Sequence, residues 1–264
     1  MISVGDIVSR NSYNNDILFE ILRIDGNKAI LKGVDFRLYA DSDIDDLVKE
    51  ERVNSDSNDR KIIEDNQKNL NLDRDEYFYL PGIVLHIDSD NDYLKRCMRF
   101  YESMKVKTFG VNIEEEDIAE KLPEYLEKYK PDIVVITGHD AYIKKKDDVM
   151  NVDNYQNTKN FIKAVLEARK YEHSQDKLII IAGACQSNYE ELIKAGANFA
   201  SSPKRVNIHA LDPAIIASSV ALSERNKNID LINMLSKTKY GSDGIGGIIT
   251  SGVMYVGFPR WIQI

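Results

Sequence analysis

Asp132-Ile133-Val134-Val135-Ile136-Thr137-Gly138-His139-Asp140 is the stretch on which the fold turns. Its unbroken apolar, largely β-branched run reads as a strand buried on both faces, and Gly, His and Asp stand where the strand ends. A second run of this kind, Lys177-Leu178-Ile179-Ile180-Ile181-Ala182, closes on Gly183-Ala184-Cys185-Gln186-Ser187. A third, Gly82-Ile83-Val84-Leu85-His86-Ile87, closes on Asp88-Ser89-Asp90. Residues 106–111 and 197–200 supply two further strands. Between them, Leu94, Cys97, Met98 and Tyr101 repeat at helical spacing, as do Phe161, Ala164, Val165 and Ala168. Residues 113–129 form a helix that Pro123 is expected to kink or divide. Buried strands alternating with helices predict an α/β fold with a mostly parallel sheet flanked by helices.

Outward from this core the character changes. Residues 1–40 read as short strands around an Asp25-Gly26-Asn27 turn, a small β-barrel-like module. Residues 41–76 hold thirteen acidic and six basic side chains and no aromatic one, which predicts a solvated, weakly helical connector. The expected organisation is therefore a module over 1–40, an acidic connector over 41–78 and an α/β domain over 79–264. The chain has 264 residues, 43 acidic against 35 basic, for a net charge of −8. That balance argues against nucleic acid or an anionic membrane as partner. No apolar run is long enough to span a bilayer, and the N-terminus lacks the pattern of a signal peptide, so a soluble intracellular protein is expected. Two cysteines make no disulfide framework. Oligomeric state is not legible.

In an open parallel sheet, chemistry gathers beyond the carboxyl ends of the strands. His139 and Cys185 stand at two such ends. A histidine can generate the nucleophilic thiolate, and a position at a helix N-terminus, expected for Cys185, would lower the thiol pKa further. The backbone N–H groups of Asp140 and Cys185 could form an oxyanion hole. Against this stands the plain alternative that Cys185 is a small core residue. Cys97, on an apolar helix stripe, reads as core. His86, Asp88, Asp90, His139, Asp140 and His209 also keep a metal-dependent hydrolase open, although no tight ligand pair supports it. A non-enzymatic assembly factor is the third reading. The glycine-dense stretch over 241–247 reads as a surface or rim loop.

Five blocks together carry a resemblance: residues 81–88, Thr137-Gly138-His139-Asp140, Ala182-Gly183-Ala184-Cys185-Gln186-Ser187, residues 195–203, and Gly5-Asp6-Ile7-Val8-Ser9-Arg10 with Ser12-Tyr13. In these the chain resembles the YabG family, the sporulation-specific proteases of spore-forming Firmicutes. The resemblance implies a cysteine endopeptidase, needing no cofactor, that trims spore coat and cortex-related proteins after Arg or Lys. It implies Cys185 as nucleophile and His139 as base, and a place in the cytoplasm of the sporulating cell or at the spore coat. The strand–His, strand–Cys order is also similar to the caspase, gingipain and legumain group. The chain departs from that group with Asp140 after the histidine and Gln186-Ser187 after the cysteine. A basic P1 residue needs a carboxylate partner. By the same resemblance Asp88, and after it Asp90, is expected to bind substrate, Asp90 being equally suited to cap the following helix. Arg52, Arg60-Lys61 and Arg74 are candidate sites of self-cleavage.

Overall fold

The computed structural model describes residues 2–50, 55–68, 72, 75–143 and 148–260. Five antiparallel strands open the chain: β1 (Ile7–Arg10), β2 (Phe19–Asp25), β3 (Lys28–Gly33), β4 (Tyr39–Asp43) and β5 (Leu47–Lys49). They lie in the order β4-β3-β2-β1-β5. The β2–β3 turn is made at Gly26, where φ is +61°, as the Asp-Gly-Asn signal predicts.

Then come α1 (Ser55–Lys68), β6 (Phe78–Leu80), β7 (Val84–Asp88), α2 (Asn91–Ser103), β8 (Thr108–Asn112), α3 (Glu115–Tyr129) and β9 (Ile133–Thr137). The chain continues through α4 (Thr158–Tyr171), β10 (Ile179–Ala182), α5 (Tyr189–Lys194), β11 (Phe199–Ser201), α6 (Asp212–Ala221), α7 (Leu231–Leu235), β12 (Ile245–Gly247) and β13 (Tyr255–Gly257). The main sheet has the order β12-β11-β10-β9-β7-β8. All its neighbours are parallel except β11 and β12. The expected α/β class with a mostly parallel sheet flanked by helices is what forms.

Alternation along the strands sorts the core into two layers. Leu85, Ile87, Val134, Ile136 and Ile180 pack with Ile118, Leu122 and Leu126 of α3 and Phe161, Val165 and Ala168 of α4. The opposite face, with Val84, Ile133, Val135, Ile179 and Ile181, packs with Phe100 and Tyr101 of α2 and Ile216 and Val220 of α6. That second layer runs on without a break into Val8, Phe19, Ile21 and Leu31 of the N-terminal sheet. The module therefore shares a core with the α/β sheet.

Three local readings change. Helix α3 runs unbroken through Pro123, which is only half-buried, so water can reach the carbonyl freed there. The glycine-dense stretch is not a loop throughout: residues 245–247 form edge strand β12, and a Cβ on Gly247 would lie 2.3 Å from the Phe199 ring. Within 41–78, β5 joins the N-terminal sheet and α1 docks on α2. Asp59 of α1, buried, takes a bidentate contact from Arg96 at 2.8 and 2.8 Å, while Arg96 also donates to the Val34 carbonyl at 2.7 Å. Acidic composition suggested solvent here because a buried partner for one of those carboxylates is invisible in a local window.

Replacing Arg96 with Ala leaves Asp59 buried and unpaired, which should cost about 3–5 kcal/mol. Arg96→Lys should recover only part of this, lacking the planar fork. Urea unfolding gives the loss, and hydrogen exchange should show α1 amides opening before those of β9 and β10; unchanged α1 protection would refute the clamp.

Candidate active site

The register of the central strands sets the site. Ile136 of β9 is paired with Ala182 of β10, and His139 and Cys185 each follow three residues later. The two residues thus follow adjacent strands at equivalent positions in the chain. Cys185 sits in a sharp turn between two left-handed residues, Gly183 (φ +100°) and Gln186 (φ +58°). Gln186 is thus a non-glycine residue held in the left-handed region beside the cysteine. The helix that follows starts later than expected: α5 begins at Tyr189 with Asn188 as its cap. Cys185 is therefore not at a helix N-terminus and gains nothing from that dipole.

Asp140 knits the two strand ends together. Its carboxylate accepts from the N–H groups of Ala141 and Asn157 at 2.9 and 2.8 Å, from the Thr158 hydroxyl, and from Ser187 Oγ at 2.8 Å. Ser187 Oγ in turn accepts from Ala184 N–H at 2.9 Å. Burial raises the Asp140 pKa, although these hydrogen bonds oppose the shift. The histidine loop is held from the other side by Glu115, whose Oε1 accepts from His139 N–H at 2.7 Å and Ser89 Oγ at 2.5 Å. Asn157 Nδ2 donates to the His139 carbonyl at 2.9 Å.

The His139 ring is fixed by Asp90. Nε2 lies 3.2 Å from Asp90 Oδ2, and Tyr39 packs edge-on with ring centroids 4.2 Å apart. A carboxylate that accepts from Nε2–H leaves the lone pair on Nδ1, which is buried and has no hydrogen-bond partner among the described residues. Asp90 also caps α2, accepting from Asp92 and Tyr93 N–H, and pairs with Lys32 at 2.9 Å. Burial would raise its pKa, but the bonds from His139 and Lys32 hold it well below the usual carboxylate range. Nothing in the spacing of the sequence pointed to Asp90 as the partner of His139; the helix-cap reading was the one within reach.

Asp88 lies deeper. It is fully buried, with the Arg37 guanidinium 2.5 Å from its Oδ2 and His86 Nε2 at 3.6 Å. Burial penalises the carboxylate, yet the Arg37 charge holds its pKa below the ordinary value. Arg37, also fully buried, comes from the loop between β3 and β4 and donates further to the Ala210 carbonyl at 3.1 and 2.8 Å. The sequence reading missed it: an arginine in a module loop carries no local mark of burial.

Cys185 is fully buried as well. Its Sγ accepts from Ile208 N–H at 3.2 Å, and burial pushes the thiol up to about 12. Cys97, also buried, donates to the Ala210 carbonyl at 3.3 Å and is likewise pushed up to about 12 by burial. Beside the site, a cleft of about 740 Å³ runs between the module and the strand ends, lined by Leu38, Tyr39, Tyr142, Gln186 and Asn207. The six residues of the metal reading do not converge. His86 pairs with Asp88 and Tyr101, His139 with Asp90, and His209 accepts from Leu211 N–H. Among the described residues no three His, Cys, Asp or Glu side chains are grouped as a cation site, and no helix is long and apolar enough to cross a membrane.

The family model described as YabG peptidase U57 matches residues 3–259. The sporulation-specific protease YabG of Bacillus subtilis (strain 168) is 40% identical, over 97% of each chain. No solved structure matches the chain.

A thiol at about 12 is almost wholly protonated near neutrality, and alkylation needs the thiolate. Native Cys185 should therefore react with iodoacetamide at pH 8 at least about a hundredfold more slowly than an unfolded peptide cysteine. Mass spectrometry of the labelled peptide reads this; equal rates would mean the thiol is not shielded in solution.

Proposed function

The chain belongs to the YabG peptidase U57 family, and from that membership we propose a sporulation protease that works as a cysteine endopeptidase with a Cys185–His139 dyad positioned by Asp90. The observation that carries the reading is the register of β9 and β10, which delivers a histidine and a cysteine to one sheet edge at equivalent positions. The strand order supports a caspase-like reading, since the first strand of the α/β unit, β7, lies between the second, β8, and the third, β9. Ligands collect outside the strand ends at such a reversal.

In the proposed reaction His139 Nδ1 takes the Cys185 proton as the sulfur attacks the scissile carbonyl. The imidazolium that forms is stabilised by Asp90 across Nε2–H. Among the described residues the N–H groups of Asp140 and Cys185 donate to no protein acceptor, which suits them to hold the oxyanion. His139 then protonates the leaving amine, and water releases the thioester. Specificity for Arg or Lys follows from Asp88, a buried carboxylate that already holds a guanidinium. Asp90 is committed to His139 and the helix cap, so it serves the dyad and not the P1 side chain. Spore coat and cortex-related proteins are the proposed substrates, and the N-terminal sheet is a module set against the catalytic unit. Self-cleavage remains part of the proposal at Arg60-Lys61, exposed on α1; Arg52 and Arg74 lie outside the described residues.

The test is digestion of an unstructured protein rich in Arg and Lys, with cut sites read by mass spectrometry. Cys185→Ala and His139→Ala should abolish cleavage, and Asp88→Asn should remove cuts after Arg. Cleavage persisting in Cys185→Ala would overturn the mechanism.

Asp90→Asn keeps the helix cap, because Asn caps as well as Asp, yet it removes the charge facing His139. We expect kcat to fall about 10²–10⁴-fold with KM little changed, while the lost Lys32 pair lowers the melting temperature no further than Lys32→Ala does. A matching loss of stability would instead give Asp90 a purely structural role.

A further inference from the structure

We propose that Asp35-Phe36-Arg37 of the N-terminal module occupies the substrate site as a built-in mimic and keeps the peptidase latent until the β3–β4 loop that carries it lifts. The proposal rests on the Cys185–His139 reading with Asp88 as the P1 acid, and adds how that site is regulated.

Backbone contacts are those of a bound peptide strand. Ala210 N–H donates to the Asp35 carbonyl at 3.0 Å and Arg37 N–H to the Ile208 carbonyl at 3.2 Å. Between them Phe36 and His209 form an antiparallel bridge. An extended substrate adding itself to an open strand edge makes this pattern, with main-chain bonds for affinity and a side-chain pocket for specificity. The edge so covered is also the one that reaches the nucleophile, since Ile208 N–H contacts Cys185 Sγ.

The side chain completes the likeness. Arg37 points from that strand to Asp88, fully buried, in the place a substrate arginine would take. Tyr93 OH secures the segment by sharing its one proton between the carbonyls of Gly33 and Phe36, at 2.6 and 2.7 Å. Lys32 and Tyr39, on either side of it in sequence, close over Asp90 and the His139 ring. Downstream of Arg37, Leu38 and Tyr39 enter the wall of the 740 Å³ cleft, where the chain beyond a scissile bond would run. One loop of one module therefore covers the acid, the strand edge and the histidine together. A pair serving only to dock the module would not need the strand pairing as well.

With the site filled, a substrate binds only to the fraction of molecules whose β3–β4 loop is lifted, and apparent affinity falls by that fraction. Arg37→Ala should therefore raise kcat/KM for an acyl-arginine fluorogenic amide by about tenfold or more. It should also speed alkylation of Cys185. A peptide with the sequence of residues 33–39 should inhibit Arg37→Ala, and the same peptide with alanine for the arginine should not.

Because Arg37→Ala strips a buried carboxylate of its partner, a second variant guards against misfolding. Phe36→Cys with His209→Cys places two thiols across a non-hydrogen-bonded antiparallel pair, where Cα atoms approach to about 4.5 Å, within disulfide reach. The oxidised double variant should be silent and recover on reduction, while wild type is indifferent to the same cycle. Oxidised protein that cleaves as fast as reduced, or a folded Arg37→Ala no faster than wild type, would overturn the mimic. Cys185→Ala in the Arg37→Ala background separates the two levels. Activity that survives there sinks the Cys–His reading itself, whereas Cys185-dependent cleavage after Arg with no gain from Arg37→Ala sinks only the latch.

Discussion

The ion pair of Arg37 and Asp88 is the constraint to which most of the site answers. Both side chains are fully buried, and charges taken out of water must be paired and hydrogen-bonded to be tolerated. The pair meets that demand through the Ala210 carbonyl and Asp90 N–H, which donates to Asp88 Oδ1 at 2.9 Å. Breaking such a pair by removing one partner typically costs about 3–5 kcal/mol. The same contact therefore fixes the β3–β4 loop, the carboxyl end of β7 and the start of α6 relative to one another. The antiparallel sheet and the mostly parallel one share a layer, with Val8, Phe19 and Leu31 continuing the core of β7, β9 and β10.

At the neighbouring strand ends the organising group is Asp140. The two departures from the caspase pattern, Asp140 after the histidine and Ser187 after the cysteine, turn out to be one feature, since Ser187 Oγ donates to Asp140 Oδ2. A glycine at 140 could not reach across. The carboxylate trades the compactness of glycine for a fixed distance between the loops that carry His139 and Cys185, and the Thr158 and Asn157 bonds tie both loops to the start of α4. Asp90 does the corresponding work for the imidazole ring, holding it while capping α2. The frame of the candidate site is thus tied down on both sides, and under the proposed latch the covering loop is the part that moves.

The apolar runs over 82–87, 132–137 and 177–182 were enough to establish buried parallel strands, because burial on both faces leaves a mark in every residue of a short window. Strand-end logic then singled out His139 and Cys185 without any contact being known. The acids were half legible: Asp88 and Asp90 were read as partners for a basic substrate side chain, but that Asp90 meets His139 depended on side-chain direction. In a strand ending in Asp-Ser-Asp, that is decided by where the helix begins.

The sequence by itself thus determined the α/β class, the mostly parallel sheet, the hairpin at Gly26 and the sheet edge that carries His139 and Cys185, since each depends on local periodicity, turn chemistry or position relative to a strand end. Tertiary structure alone decided that Arg37 lies on Asp88, 51 residues away, and that Asp90 meets His139, 49 residues away. It also decided that Cys185 is shielded and not activated by a helix. Those outcomes depend on how crossovers and a shared core bring distant segments together, and a buried charge pair leaves no trace in either partner's own stretch of chain.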